Sequence, residues 1–395
     1  MSRLWDKGTP LDARVLAYTS QDDHELDNRL VAYDIQASIA HATMLQEQSL
    51  LNAVDLAAIT AALTQIGAAH ARGEWRVTLE MEDCQTAIEN LLTQKIGAAG
   101  GRLHAGRSRN DQVLVALRLY MRDAAARLNA GAQGVAEALD RLGAREATTV
   151  LPGYTHMQQA MPSTVGWWAG GFAAEIRDDG TGLADCLRRI GKNPLGSAAG
   201  YGTPGLSVDR ESTRCQLGFA TIHEPVTAVQ LSRGKAEAQL AFEITLLTQD
   251  IARLAADLLL FYTQEFAFVS LPDAFTTGSS IMPQKRNADV FELMRGRSAG
   301  AQAALNEILG ITQKLTSGYH RDLQLIKLPL FRSIDACEQT LDILPVALEG
   351  VSFKPQNIHL DPGIRAAEAA NGLGASEGIP FREAYRRIAA TLKKD

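Results

Sequence analysis

The stretch Asn110–Leu142, NDQVLVALRLYMRDAAARLNAGAQGVAEALDRL, sets the fold class of this 395-residue chain. Its apolar residues recur at steps of three or four, from Val113 and Leu117 through Tyr120 to Leu142. This spacing is the period of an α-helix with one apolar face. The stretch therefore predicts a single unbroken helix of about nine or ten turns.

Helical periodicity recurs along the chain, while strand signals are almost absent. The further predicted helices cover residues 34–47, 55–72, 163–190, 228–265 and 289–315. Segment 228–265 is apolar on more than one face, which is typical of a helix buried among other helices. Three helices of this length exceed what a small globule can cover. We therefore expect a mainly α long-helix bundle that associates with other copies of the chain.

Glycine- and proline-rich breaks interrupt the helices and define the predicted domains. A helical head covers residues 1–105, a long-helix body covers 106–345, and a short C-terminal part covers 346–395. Polar residues capable of chemistry are concentrated in the breaks, where rigid helices can hold them. The breaks lie at residues 97–106, 151–162, 193–205 and 271–278.

The composition excludes several classes of partner. The formal net charge is -6, and 21% of the residues are charged, so nothing indicates a nucleic-acid or membrane partner. The four cysteines are scattered without a CxxC pair, which argues against a zinc site or a disulfide framework. Without a signal-peptide or transmembrane run, we expect a soluble cytoplasmic protein.

The densest cluster of polar chemistry is GSSIMPQKRN, residues 278–287, followed by a helical segment that contains Glu292. Small residues beside Lys285 and Asn287 predict a mobile loop that closes over an anion. Ser279 and Ser280 supply adjacent hydroxyls in the same loop. The combination is unusual for a purely structural segment.

Three other breaks offer partners for this loop. Ser108, Arg109 and Asn110 precede the first long helix, where they either cap it or bind a carboxylate. Thr155 and His156 stand side by side, and His156 is either structural or a proton carrier that Glu292 could orient. The third break is either an exposed loop or a site for a zwitterion, and its polar residues are Tyr319, Gln324 and Lys327.

Together these motifs resemble the fumarase/aspartase superfamily and, most closely, its argininosuccinate lyases. The resemblance covers nearly the whole chain in the expected order. Its main carriers are GSSIMPQK with Asn287, which is typical of the superfamily, and GRSRNDQ, residues 106–112. PGYTH, residues 152–156, RDLQ with Lys327, and PFREA, residues 380–384, add to it.

The resemblance implies reversible β-elimination of argininosuccinate to arginine and fumarate, without a metal or organic cofactor, in a homotetramer whose sites each combine three subunits. It implies that Ser279 is the base and that Lys285 and Asn287 stabilise the carbanion's carboxylate. Thr155 and His156 would serve the leaving group, with Glu292 orienting His156. The resemblance also implies that the fumarate portion is bound by Ser108, Arg109 and Asn110. The rest of the substrate would be bound by Tyr319, Gln324 and Lys327.

Several positions depart from the family pattern. Ala105, Gln159 and Ala288 stand where Thr, Arg and Pro are common, and Asp23 stands where many members have a substrate-binding Ser. The region after Leu330 is also shorter than in most members. Two alternatives stay open: a related lyase acting on another N-substituted aspartate, and an inactive structural protein on the same fold.

Overall fold

The computed structural model describes residues 12–20 and 22–392, and it confirms the mainly α-helical fold. The α-helices within these residues are α1 Ala13–Ser20, α2 Asp23–Leu26, α3 Val31–Glu47, α4 Ala53–Ala71, α5 Cys84–Ile96, α6 Ala98–Gly101, α7 Arg109–Arg145, α8 Val165–Asp185, α9 Leu187–Ile190, α10 Arg210–Leu217, α11 Val226–Leu231, α12 Lys235–Tyr262, α13 Asp289–Thr312, α14 Lys327–Glu349, α15 Ala366–Glu377 and α16 Phe381–Leu392.

Short strands form three pairs in the described part of the chain. β1 Val150–Thr155 pairs with β2 Gln158–Thr164 in antiparallel register. The other four strands have two residues each: β3 Lys192–Asn193 and β4 Thr221–Ile222 are parallel, and β5 Val269–Ser270 and β6 Ser352–Phe353 are antiparallel. No helix among the described residues has both the length and the apolar character needed to cross a membrane.

The chain divides into two compact units, each built from three segments. The first unit contains the residues up to Asn129 together with Thr181–Thr245 and Gly300–Ala336. The second contains Ala130–Gly180, Leu246–Ala299 and the residues from Cys337 onward. Five helices, α7, α8, α12, α13 and α14, have residues in both units. The predicted division into domains 1–105, 106–345 and 346–395 stays a prediction.

Helix α7 confirms the prediction from its apolar stripe. It runs unbroken for 37 residues. Most of the stripe positions are buried because successive apolar side chains, three or four residues apart, share one face of the helix. The buried positions are Leu117, Tyr120, Ala124, Leu128, Val135, Ala138 and Leu142.

Each unit has its own apolar packing. In the first unit, Val115 and Leu119 of α7 pack with Ala37 and Ala40 of α3 and with Phe219. In the second unit, Trp168 lies within aromatic contact of Phe172, Phe261 and Phe353, with ring centroids 5.6–5.9 Å apart. The Trp168 indole N–H donates to Asp257 at 2.9 Å, so the polar end of this ring is satisfied.

The predicted helix over residues 228–265 is two helices, α11 and α12, separated by a break at Gly234. Gly234 has φ of +85°, in the left-handed region that favours glycine. A Cβ on this residue would lie 2.5 Å from the side chain of Thr312. The Gly234 amide donates to the Glu237 carboxylate at 2.9 Å, so Glu237 caps the start of α12.

The break at residues 151–162 is an ordered β-hairpin rather than an irregular loop. Thr155 pairs with Gln158, so His156 and Met157 form a two-residue turn. Their φ values are +53° and +61°. A tight turn with two positive φ values matches the right-handed twist of the strands, although Asn and Gly usually occupy it. The hairpin therefore holds His156 in a conformation that is uncommon for its residue type.

Candidate active site

The predicted site residues lie in both units. Ser108, Arg109, Asn110 and the set Tyr319, Gln324 and Lys327 belong to the first unit. Thr155, His156, Ser279, Lys285, Asn287 and Glu292 belong to the second.

Ser108 is the cap of α7. Its hydroxyl accepts from the Asn110 amide at 3.3 Å, and the Ser108 amide donates to the Asp111 carboxylate at 3.0 Å. These bonds satisfy backbone groups that have no partner inside the helix. The structural role predicted for this segment is thus present.

The adjacent Arg109 is paired rather than free. Its guanidinium lies 2.9 Å from Asp83 and donates to the Thr86 hydroxyl at 2.7 Å. Asp83 also accepts from the Thr86 amide at 2.8 Å, and in this way it caps α5. Asp83 is therefore both the cap of α5 and an ion-pair partner of a predicted site residue.

Lys327 lies at the centre of a buried ion network. Its ammonium contacts Asp27 at 2.6 Å and Asp23 at 2.8 Å, and the Lys327 and Asp27 side chains are almost fully buried. Burial opposes the charge, yet the two carboxylates raise the pKa of Lys327 above its ordinary value. Burial raises the pKa of Asp23 to about 7, and the neighbouring charge of Asp27 adds to this rise while the charge of Lys327 opposes it.

The first-unit residues surround a small cavity of about 40 Å³. Arg321 pairs with Glu82 at 2.9 Å, and the Gln324 amide donates to the Thr19 carbonyl at 2.9 Å. The charged lining consists of four acids and four bases: Asp23, Asp27, Glu82, Asp83, Arg109, Arg233, Arg321 and Lys327. Gln85, Tyr319 and Gln324 add polar groups to this wall, so the cavity lining offers groups of both charge signs.

The Ser279 segment forms a loop with a closed neck. Thr277 and Asn287 exchange two backbone hydrogen bonds of 2.8 and 3.0 Å. The nine residues between them, 278–286, form the loop, and Asn287 also donates through its side chain to the Gly278 carbonyl at 3.4 Å. The neck uses no amide from Ala288, so either Ala or the more usual Pro fits its hydrogen-bond pattern.

Ser279 has a polar environment made by its own loop. Its hydroxyl oxygen accepts from the amides of Met282 at 3.2 Å and Ile281 at 3.4 Å. Backbone donors aimed at an oxygen stabilise negative charge on it. They therefore favour the deprotonated form of this hydroxyl.

Beside the loop lies a cavity of about 690 Å³, open enough for a small metabolite. Lys285, Asn287 and Glu292 line it, together with Tyr262 and Lys354. Lys285 is exposed and makes no ion pair with any described residue. A free ammonium beside an open cavity can bind an incoming carboxylate.

The hairpin and the loop do not join within one copy of the chain. Thr155 and His156 are exposed, and no hydrogen bond or ion pair among the described residues links them to Ser279, Lys285 or Glu292. The predicted orientation of His156 by Glu292 is therefore not formed within this unit.

Gln159 and Ala105, two of the residues that depart from the family pattern, have clear structural roles. The Gln159 side chain donates to the His359 carbonyl at 2.9 Å and accepts from the Asp361 amide at 2.8 Å, so it fixes the segment before α15 to β2. The Ala105 carbonyl lies 2.8 Å from Nε2 of the buried His41. Both roles are compatible with a polar site nearby but do not require one.

The acids of the first-unit cavity were missed by sequence reasoning. Asp23 and Asp27 are about 300 residues from Lys327 in the chain, so no local spacing indicates their contact. Glu82 and Asp83 directly precede α5, where acidic residues are explained by helix capping alone. Arg321 was visible only as part of the RDLQ motif.

Comparisons with known proteins agree with the motifs. A family model described as lyase matches residues 9–302. An argininosuccinate lyase of Sorangium cellulosum is 46% identical over 99% of this chain and 90% of its own length. An argininosuccinate lyase of Xylella fastidiosa is 41% identical over 98% of this chain and 87% of its own length.

Solved structures share the fold. A variant of EDDS lyase with bound fumarate superposes with a TM-score of 0.81 and 25% identity, covering 98% of this chain and 77% of that one. A class II fumarase from Schistosoma mansoni superposes with a TM-score of 0.79 at 15% identity, covering 96% of this chain and 93% of that one.

Proposed function

Because the chain belongs to the argininosuccinate lyase family of the fumarase/aspartase superfamily, we propose that it cleaves argininosuccinate reversibly to arginine and fumarate, the last step of arginine biosynthesis. It is an enzyme, a carbon–nitrogen lyase. The observation that carries the proposal is the 46% identity to an argininosuccinate lyase over 99% of the chain. Fumarate bound in the structurally similar EDDS lyase variant is consistent with the product.

The elimination starts at the carbon next to a carboxylate. In our proposal Ser279 removes the proton from this carbon, and the C–N bond breaks with its electron pair leaving on the guanidino nitrogen. A free serine hydroxyl is far too weak a base, so it needs stabilisation as an alkoxide. The amides of Ile281 and Met282, at 3.4 and 3.2 Å, are suited to that task.

The carbanion places a second negative charge on the adjacent carboxylate. We assign its stabilisation to Lys285 and Asn287, because the unpaired Lys285 ammonium and the Asn287 amide line the same cavity. Both belong to the loop or its neck. Closure of the loop would bring them and Ser279 to the substrate together.

The departing guanidino nitrogen needs a proton. We assign this side of the reaction to Thr155 and His156, with Glu292 orienting the imidazole. His156 stands at the tip of a tight hairpin with φ of +53°, where it is exposed. Uncommon backbone conformations are concentrated at functional sites, which supports the assignment.

Substrate binding is assigned to the first-unit residues. Ser108, Arg109 and Asn110 would hold the fumarate portion, and Tyr319, Gln324 and Lys327 would hold the remainder. Arg109 and Lys327 are already paired with acids. A substrate carboxylate can therefore bind these two cations only by sharing them with their acidic partners or by displacing those acids. Asp23 adds a negative charge near Lys327 that a Ser would not supply.

We further propose a homotetramer in which three copies contribute to each site. Large apolar side chains remain exposed along the long helices of a single chain, as expected for surfaces that pack against other copies. Examples are Trp167 of α8, Phe242 of α12, Leu293 of α13 and Val346 of α14. Sharing between copies would also bring His156 to partners that it lacks among the described residues of one chain. We place the enzyme in the cytoplasm.

The two alternatives make different predictions. Another lyase of the superfamily would release fumarate from a different N-substituted aspartate. A structural protein on this fold would release none, yet it would have no need of Ser279, His156, Lys285 and Asn287. These four residues therefore favour an enzyme.

The deciding experiment follows fumarate absorbance with purified protein and argininosuccinate, in parallel with adenylosuccinate and aspartate. We expect fumarate from argininosuccinate alone. Release from one of the other substrates instead would move the chain to a different lyase specificity. No release from any of the three would support the structural alternative.

A further inference from the structure

A second cavity of the first unit is basic and contains none of the residues assigned to the reaction. It measures about 340 Å³ and lies beside β3, α11 and the start of α12. We call it the basic cup, defined by Arg118, Arg189, Lys192, His223, Ser232 and Lys235. Four of these six side chains are cationic.

The base of the cup is a buried guanidinium that pairs with no carboxylate of the described residues. Arg118 is 1% exposed. It donates to the Lys192 carbonyl, to the Ser232 hydroxyl at 2.8 Å and to His223 Nδ1 at 3.0 Å, and its Nε has no partner in the described part of the chain. All three acceptors are neutral, so the positive charge is hydrogen-bonded but not neutralised by direct contact.

The acid whose charge acts on Arg118 is Glu237, and it also lies close to a second arginine. Glu237 is buried, lies 3.8 Å from the Arg233 guanidinium and accepts from the Gly234 amide at 2.9 Å. It offsets part of the charge of Arg118 from a distance, yet burial still lowers the pKa of Arg118 to about 10. One buried acid, Glu237, thus stands against two buried arginines, Arg118 and Arg233.

His223 adds a second donor, its Nε2–H group, because Nδ1 is occupied by Arg118. A guanidinium only donates, so His223 Nδ1 must accept, and the neutral ring carries its proton on Nε2. Burial, then the charges of Arg118 and Lys192, lower the pKa of His223 to about 4, which keeps the ring neutral at physiological pH. Nε2–H makes no hydrogen bond with any described residue, so it is available to a ligand in the cup.

The rim of the cup also carries an excess of positive charge over negative charge. The side chains of Arg189, Lys192 and Lys235 form no ion pair within residues 12–20 and 22–392, and Arg189 and Lys235 are exposed. Mutually repelling cations around a concave space focus a positive potential in it. An anion there would gain charge-assisted hydrogen bonds from the rim and relieve the repulsion.

We propose that the basic cup binds a small oxyanion with two or more negative charges, a phosphate or a dicarboxylate, independently of the proposed reaction. Arg118 and His223 supply the buried base of the site, and the two lysines and Arg189 close over the anion from the rim. The alternative is that Arg118 only ties β3 to the start of α12. The rim lysines distinguish the two, because that structural role does not involve their ammonium groups.

The test is isothermal titration calorimetry on the full chain with inorganic phosphate and, separately, with succinate. The cup variant carries Lys192→Gln and Lys235→Gln. The control variant carries Lys95→Gln and Lys314→Gln, which removes the same charge from exposed positions of the first unit outside the cup. Thermal unfolding midpoints of all three proteins check that the substitutions leave the fold intact.

We expect saturable binding to the unsubstituted protein that weakens about tenfold or more in the cup variant and is retained in the control, since two charge-assisted hydrogen bonds are lost. The anion whose binding is weakened in the cup variant and retained in the control, phosphate or succinate, identifies the class of oxyanion. Equal affinity in all three proteins would place the anion elsewhere and overturn the proposal. So would the absence of saturable binding of either anion to the unsubstituted protein.

Discussion

Lys327 and Lys285 belong to the same predicted site, yet their surroundings differ completely. Lys327 is buried and contacts two carboxylates at 2.6 and 2.8 Å. Lys285 is exposed in the loop of residues 278–286 and has no acidic partner among the described residues. One ammonium is satisfied by the folded chain, and the other is free for a ligand.

The difference separates two kinds of functional residue. A buried, paired cation stabilises the fold through its partners, and it binds a ligand only by sharing them. An exposed, unpaired cation contributes little to the free energy of folding, and it can bind a ligand without displacing another partner. Substitutions in the loop should therefore affect turnover alone, whereas substitutions in the buried network should also affect the free energy of unfolding.

The largest expected effect is on turnover in the loop. Ser279→Ala should lower kcat by about 10³- to 10⁴-fold, because it removes the proposed base. The free energy of unfolding should change by less than about 0.5 kcal/mol, since Ser279 is only partly buried. Fumarate release and urea unfolding measure the two quantities, and Ser280→Ala is the matched control. Near-normal turnover of Ser279→Ala would remove Ser279 as the base.

The next effect reverses this pattern. Lys327→Met should lower the free energy of unfolding by about 3–5 kcal/mol, because Asp23 and Asp27 would remain buried without their cation. The matched substitution Lys285→Met should change it by less than about 0.5 kcal/mol while reducing turnover. Urea unfolding of both variants checks the contrast. Equal stabilities would show that the ion network contributes nothing to the fold.

The same contrast explains what could be predicted from the sequence. The apolar stripe that begins at Val113 predicted α7 because helical periodicity is a local property of the chain. The loop at Ser279 was identifiable because its polar residues are adjacent. Pairing of Lys327 with Asp23 and Asp27 was not, because it depends on a fold that brings together residues about 300 positions apart.

Two local features were also missed, and both depend on backbone geometry. The hairpin at residues 150–164 contains Pro152, Pro162 and a His156–Met157 turn, none of which favours a strand or a two-residue turn. The break at Gly234 lies inside an otherwise helical pattern, where a single glycine is tolerated. Close approach of the Thr312 side chain requires glycine there, and sequence does not reveal that contact.

The hairpin provides a third test, of intermediate size. His156→Asn should lower kcat by about 10²- to 10³-fold, because the proton carrier of the leaving group is lost. Asn tolerates the positive φ of this position, so the hairpin should remain folded. Steady-state kinetics and urea unfolding measure both outcomes, with Met157→Asn as the control for the turn itself. An unaffected rate in His156→Asn would exclude His156 from the chemistry.

The last test concerns the pH dependence of the buried network. The pKa of Asp23 is raised by burial from 3.8 to about 7. Between about pH 4 and pH 7 the folded chain therefore holds a proton that the unfolded chain has released, so stability falls as the pH rises through this window and levels off above it. Asp23→Asn has no titrating group at this position and should lose that contribution to the slope.

Urea unfolding of both proteins at several pH values from 4 to about 8 measures this effect. The unsubstituted protein should lose stability relative to Asp23→Asn as the pH rises to about 7, and the difference should then stay constant. Asp335→Asn is a useful control, because Asp335 pairs with Arg29 in a more exposed place of the same unit. Parallel curves for Asp23→Asn and the unsubstituted protein would mean that Asp23 is ionised throughout. The negative charge of Asp23 would then oppose the binding of a substrate carboxylate by Lys327 over the whole range.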